Sequence, residues 1–202
     1  MEVILVIGGM GSGKSSATKA LASLGLAAID LDAMGHTALT WTFVKSQLRE
    51  AFGSAIFSSY GEIDRAALAR VAFASKEATE KLNSITHPHI LKALSSSLSQ
   101  LECEECPAVV IESSSFTGQE DLRKLATHIV LVTAPLEQRV QHAVQAGWRE
   151  QDVRARIAQQ MSDEERAQFA TVTFENNGTL EQLQQQVLSW WKQVMRQEKS
   201  NA

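Results

Sequence analysis

"VILVIGGMGSGKSS", residues 3–16, decides the fold. Five apolar residues, Val3 to Ile7, read as a buried strand. They run directly into a glycine-rich turn bearing one lysine, and "SATKALASL" then reads as a helix. Gly8 to Ser15 fits G-x-x-x-x-G-K-[ST], and the strand before and helix after supply the context that pattern needs. Glycines let the backbone curl until successive N–H groups point at phosphate oxygens. The helix opening near Lys14 adds the positive end of its dipole. Lys14 is then placed to reach β- and γ-phosphates and the Ser15 hydroxyl to ligate Mg²⁺. The residues expected around the triphosphate are Gly9, Gly11, Ser12, Gly13, Lys14, Ser15 and Ser16.

Outward from this turn the pattern alternates. Further strands are expected at Ala27–Asp30, Ala108–Glu112, His128–Thr133 and Thr171–Phe174, with helical patterns between them. Strands alternating with helices imply an α/β fold, a five-stranded parallel sheet flanked by helices. The stretch 33–107 is too long for a simple crossover. It holds four helical patterns, "WTFVKSQLREAF", "RAALARVAFA", "KEATEKLNSI" and "PHILKALSSSLSQL", which read as a helical insertion. Residues 136–168, charged and glutamine-rich, read as a mobile helical lid. The expectation is one P-loop domain: core 1–32, 108–135 and 170–202, insertion about 33–107, lid about 136–168. In the last helical pattern Thr179 reads as the N-cap, and the Trp190–Trp191 pair as one tryptophan packed on the sheet.

Composition narrows the class. The 202 residues hold 19 Lys+Arg against 23 Asp+Glu, a formal net charge of −4. No dense basic run points to nucleic acid, and no apolar run reaches membrane-spanning length. With no signal peptide at a strand-like N-terminus, cytoplasm is the expected compartment. Cys103 and Cys106 form a C-x-x-C, but there is no second cysteine pair to complete a zinc site. They read as incidental.

"AAIDLDAMG" delivers two carboxylates, Asp30 and Asp32, to the end of the second strand, where parallel sheets present side chains to ligand. A carboxylate there can accept a proton from a substrate hydroxyl or hold a magnesium-bound water. With a strand period of two, both could share one face. A guanine-recognising N-K-x-D is missing, so a GTPase is disfavoured. Simple helix-start capping is the bland alternative for both acids.

"GGMGSGKSS" followed by "LGLAAIDLDAMGH" (24–36) resembles the dephospho-coenzyme A kinase family, whose opening reads GGxGSGKS before a strand ending D-x-D. Residues 52–90, with D-R-x-x-L and L-N-x-I-x-H-P, "RIAQQMSDEERAQFA" (156–170) and "FENNGTLEQLQQQV" (174–187) follow in the same order. The resemblance implies phosphoryl transfer from ATP, with Mg²⁺, to the ribose 3′-hydroxyl of dephospho-coenzyme A. It places Asp32 on the catalytic base, with Lys14 as the other catalytic residue. Asp32, Arg65 and His87 fall on the acceptor side, and Asn176 to Gly178 in the loop beside adenine. Arg65 could equally cap or pair at a helix start, and His87 before Pro88 could open a helix.

Two departures stand out. After the third core strand the family has D-V-P-L-L-F-E, where this chain reads "IESSSFTG". Glu112 replaces the Asp and is the expected metal partner of Ser15. In the lid, Gln141 and Gln145 occupy the positions of two arginines, leaving Arg139 and Arg149 as the nearest replacements. Three readings follow: a dephospho-coenzyme A kinase with a rearranged lid, a P-loop kinase for another hydroxyl acceptor, or a nucleotide-binding homologue without catalysis. A monomer or small homo-oligomer is expected, acting on small molecules.

Overall fold

A computed structural model describes residues 1–201, with side-chain surroundings through residue 197. The chain opens with β1 (Glu2–Ile7), α1 (Lys14–Ala22) and β2 (Ala27–Asp30). It then runs through α2 (Leu31–Ala38), α3 (Thr42–Phe52), a short 3-10 turn at Ser54–Ile56, α4 (Arg65–Ala72) and α5 (Lys76–Cys103). It returns as β3 (Ala108–Ser113), α6 (Glu120–Leu125), β4 (His128–Thr133), α7 (Leu136–Gln145), α8 (Glu150–Gln159) and α9 (Asp163–Ala167). β5 (Val172–Glu175) and α10 (Leu180–Asn201) close it.

The five strands form one parallel sheet in the order β2-β3-β1-β4-β5. β1 lies at its centre, with Val3 beside Val109 and Ile4 beside His128. A strand with sheet on both edges and helices on both faces must be apolar at nearly every position, which is why "VILVI" does not alternate. On one face α1 and α10 cover Ile4, Val6, Val130, Val132 and Phe174 with Leu21, Leu183, Val187 and Trp191. Burying each such side chain is worth about 1.5–3 kcal/mol. Trp191 is buried in this cluster, while Trp190 sits half-buried, edge-on to His128 and Phe174. Thr179 caps α10 as expected: its hydroxyl accepts from the Gln182 N–H at 3.3 Å, and the Gln182 amide oxygen accepts from the Thr179 N–H at 2.8 Å.

The chain divides into two compact units. One comprises Met1–Asp30 and the chain from Leu101 onward; the other is Leu31–Gln100. The second has its own core, in which Val44, Leu48, Ile56, Leu68 and Ala72 pack with Trp41, Phe52 and Ile63. α4 begins at an Asp64 cap, whose carboxylate accepts from the N–H groups of Ala66 and Ala67 at 2.9 and 3.0 Å.

Two expectations need correction. The patterns "KEATEKLNSI" and "PHILKALSSSLSQL" are one helix, α5, with Pro88 inside it. His87 therefore sits mid-helix and opens nothing. Proline removes the N–H that would bond the Ser84 carbonyl and its ring crowds that carbonyl, a local cost that the rest of a 28-residue helix carries. The second strand spans Ala27–Asp30 as expected, but Asp32 lies beyond it, in the first turn of α2. The two acids are thus not residues of one strand, and the period-two argument for a shared face does not apply.

Candidate functional site

In the sheet unit, the turn after β1 curls back beneath α1. Gly13 stands at the N-cap of α1 with φ 104° and ψ 11°, a left-handed conformation that side chains resist. A Cβ there would also lie 2.5 Å from the Asn176 amide nitrogen. That amide donates to the Ser12 carbonyl at 3.0 Å, so Asn176, buried after β5, fastens the loop from outside. Gly178 follows in the exposed turn before α10, where a Cβ would meet the Gln182 capping amide at 1.8 Å.

Lys14 is buried at 6 % exposure and its ammonium donates to the Gly9 carbonyl at 3.1 Å. An ammonium withdrawn from water inside a curl of backbone amides is the arrangement that receives phosphate. The Ser12 hydroxyl in the same loop is buried with no hydrogen-bond partner, an orphan of the kind a polar ligand satisfies. Ser16 joins the first turn, its N–H donating to the Gly13 carbonyl at 3.0 Å.

At the end of β3, Glu112 accepts a 2.6 Å hydrogen bond from the Ser15 hydroxyl. A carboxylate and a hydroxyl converging at the loop are hard oxygen donors. Mg²⁺ uses such donors sparsely, with substrate phosphates and waters filling the rest of its shell, so the pair fits that ion. Beyond Glu112, the "SSSFTG" segment turns Phe116 inward, fully buried and edge-on to Phe169 at 5.6 Å.

The 136–168 segment reaches the loop through several contacts. Arg139, 7 % exposed on α7, donates from Nε to the Met10 carbonyl at 3.0 Å. The Gln160 side-chain oxygen accepts from the Met10 N–H at 2.8 Å, and His142 Nδ1 lies 2.9 Å from the Gly11 carbonyl. Arg166 on α9 is 1 % exposed and bonds Asp163 at 3.2 Å. Burial holds its guanidinium below the usual arginine value, Asp163 opposing that shift and neighbouring Arg139 adding to it. Arg149 is different: exposed at the start of α8, it pairs with Asp152 at 2.8 Å. Gln141 and Gln145 are exposed on α7.

In the helical unit, Asp32 is half-buried on α2. One turn further on, His36 Nε2 stands 2.7 Å from Arg65 Nη2, so Arg65, first residue of α4, meets α2 through that imidazole. His87 is half-buried on α5, and burial pushes its pKa below the ordinary histidine value.

Sequence reasoning missed Gln160 and His142 as contacts of the loop, and Asp163 with Arg166 as the pair behind Arg139. "RIAQQMSDEERAQFA" contained three of them, and a paired Asp-x-x-Arg ahead of a strand is the signal that was available. Cys103 ends α5 exposed and Cys106 is half-buried, neither in a disulfide. No group of three or more metal-ligating His, Cys, Asp or Glu occurs among the described residues. No helix among them is long and apolar enough to cross a membrane.

Comparison with known proteins agrees with this geometry. A family model described as dephospho-CoA kinase matches residues 2–182. A dephospho-CoA kinase of Dehalococcoides mccartyi is 33% identical over 186 residues, covering 91% of this chain and 92% of the relative. One of Corynebacterium glutamicum is 36% identical over 184 residues, covering 87% and 88%. A solved structure from Thermus thermophilus superposes with a TM-score of 0.81 at 32% identity, covering 96% of this chain and 97% of that one. A parallel sheet carrying a phosphate loop, and sequence likeness along nearly its whole length, make this chain a member of the dephospho-CoA kinase family.

Proposed function

We propose that this protein transfers the γ-phosphoryl group of ATP to the ribose 3′-hydroxyl of dephospho-coenzyme A, giving coenzyme A and ADP. The observation that carries the reading is the buried Lys14 in a curled amide loop, with Ser15 and Glu112 converged beside it, in a chain of this family. The loop amides and Lys14 neutralise the β- and γ-phosphates, which is most of what phosphoryl transfer asks of a protein. Ser15 and Glu112 would hold Mg²⁺, which supplies further charge to the phosphate oxygens.

Asp32 orients the acceptor hydroxyl and takes its proton as the new O–P bond forms. The bond from γ-phosphorus to the β–γ bridging oxygen breaks, and ADP leaves with that electron pair. Arg65 and His87 serve the acceptor, Asn176 and Gly178 line the loop beside adenine, and Arg139 and Arg149 belong to the lid. In this reading the helical insertion, about 33–107, carries acceptor binding and 136–168 is the lid of a single kinase domain. The protein works in the cytoplasm as a monomer or small homo-oligomer on small molecules, without nucleic acid or membrane.

The test is ADP formation from ATP and Mg²⁺, with and without dephospho-coenzyme A. Acceptor-dependent turnover is expected, and Lys14→Ala should abolish it and weaken ATP binding. ADP formation that ignores the acceptor, or ATP binding with no transfer, rejects the assignment.

A further inference from the structure

Arg139 occupies a position where the sequence offered it as a substitute for a missing lid arginine, a cation to meet the migrating phosphoryl group. Its surroundings describe another task. Each guanidinium nitrogen has a protein partner: Nε the Met10 carbonyl at 3.0 Å, Nη1 the Asp163 carboxylate at 3.6 Å, and Nη2 the Gln160 side-chain oxygen at 3.5 Å. Gln160 in turn receives the Met10 N–H, so both backbone groups of one loop residue end on this cluster.

The fit is close on the loop side as well. A Cβ on Gly9 would stand 1.8 Å from Arg139 Nη2, and one on Gly11, where φ is 73°, 2.1 Å from the Arg139 carbonyl oxygen. Two of the loop glycines thus make room for α7. Asp163, holding Arg166 at 3.2 Å, anchors the arrangement to α9.

We propose that Arg139 is a positioning residue that straps the phosphate loop into its anion-receiving curl, tying the Met10 carbonyl to Asp163 and Gln160, and does not itself meet the transferred group. The inference rests on the reading of residues 8–16 as the triphosphate site. A planar fork can hold three acceptors at fixed angles, whereas a lysine ammonium supplies charge without that geometry. The strap sets the loop before nucleotide arrives, so its loss is felt in binding more than in the chemical step.

The experiment is amide hydrogen exchange of the nucleotide-free protein, with ATP titration and steady-state kinetics on the same samples. In Arg139→Gln the peptide spanning residues 8–13 should exchange roughly tenfold faster while β1 is unchanged. ATP affinity should fall by roughly 10- to 100-fold, the worth of one charge-assisted hydrogen bond. At saturating ATP, kcat should stay within about threefold, with an unchanged KM for the acceptor. Arg139→Lys should fail to restore loop protection, and it serves together with Asp163→Asn if the Gln variant does not fold. Unchanged loop exchange and ATP affinity, with kcat down about 10³-fold and recovered by lysine, would make Arg139 a phosphoryl-contacting residue and overturn the strap. Exchange is read without nucleotide or acceptor, so a failure of acceptor-dependent turnover in the unaltered protein would reject the proposed reaction while leaving the strap to its own result.

Discussion

Asp32 carries the proposed proton transfer from the first turn of a helix. Asp32→Asn keeps the shape of the side chain and most of its hydrogen bonding, and removes the proton acceptor. Turnover should fall by about 10²–10⁴-fold, the usual range for a general base, with ATP affinity near that of the unaltered protein. Asp30→Asn should cost less, because Asp30 ends an edge strand and is exposed. A comparison of kcat for the two variants decides it; the larger loss at Asp30 would move the base. The loop residues were legible in the sequence because a backbone requirement fixes their spacing. Gly13 needs a left-handed φ, Lys14 must follow it, and the hydroxyl comes next. Arg139 was legible as a cation near the loop but not as its fastening. Its three partners, two hydrogen-bond acceptors and one ion-pair carboxylate, lie at positions 10, 160 and 163, and nothing local in the sequence brings those together.

At the scale of elements, local signals and tertiary ones part company. Thr179 announced the start of α10 as its N-cap, and the structure adds Gln182, three residues on, as the other half of a capping box. β1 announced itself through its unbroken apolar run. Pro88 announced a break that does not occur, because its lost bond and crowded carbonyl are local and α5 has 28 residues. Restoring that bond gives a direct test. Pro88→Ala returns an N–H to the Ser84 carbonyl and should stabilise the protein by about 1–3 kcal/mol. For a chain of this size that is a rise in Tm of roughly 2–4 °C per kcal/mol, measurable by calorimetry. A lower Tm would mean that the helix has already rearranged around the ring. β2 ends at Asp30 as its apolar run announced, but the placing of Asp32 was not legible: Asp-x-Asp after such a run looks the same whether the chain continues extended or turns into a helix.

For the molecule as a whole, pH enters through His87. Its folded value lies below the ordinary 6.5 because burial disfavours the imidazolium. Well above pH 6.5 both folded and unfolded chains carry it neutral and it contributes nothing. As pH falls below that, the unfolded chain takes a proton that the folded one does not, and stability drops until the folded value is passed. Replacing His87 by leucine should make the loss of stability between pH 7 and pH 5 shallower, read from denaturant midpoints at the two pH values. An unaltered pH dependence would show that His87 accepts its proton without penalty.

The strand order has a consequence in time. β1 is first in the chain and central in the sheet, yet its partners begin at Ala108 and His128, and β2 pairs only with β3. No rung of the sheet can therefore exist until synthesis has passed Ala108 and β3 has left the ribosome. During that interval residues 31–100 can already assemble from contacts near in sequence, while the phosphate loop waits on an unpaired apolar strand. Domains emerge at about 5–20 residues per second, so "VILVI" spends several seconds exposed with nothing to pair against. In a nascent chain of this protein, the segment that founds the phosphate loop is thus an unpaired apolar strand, the kind of surface that chaperones shelter.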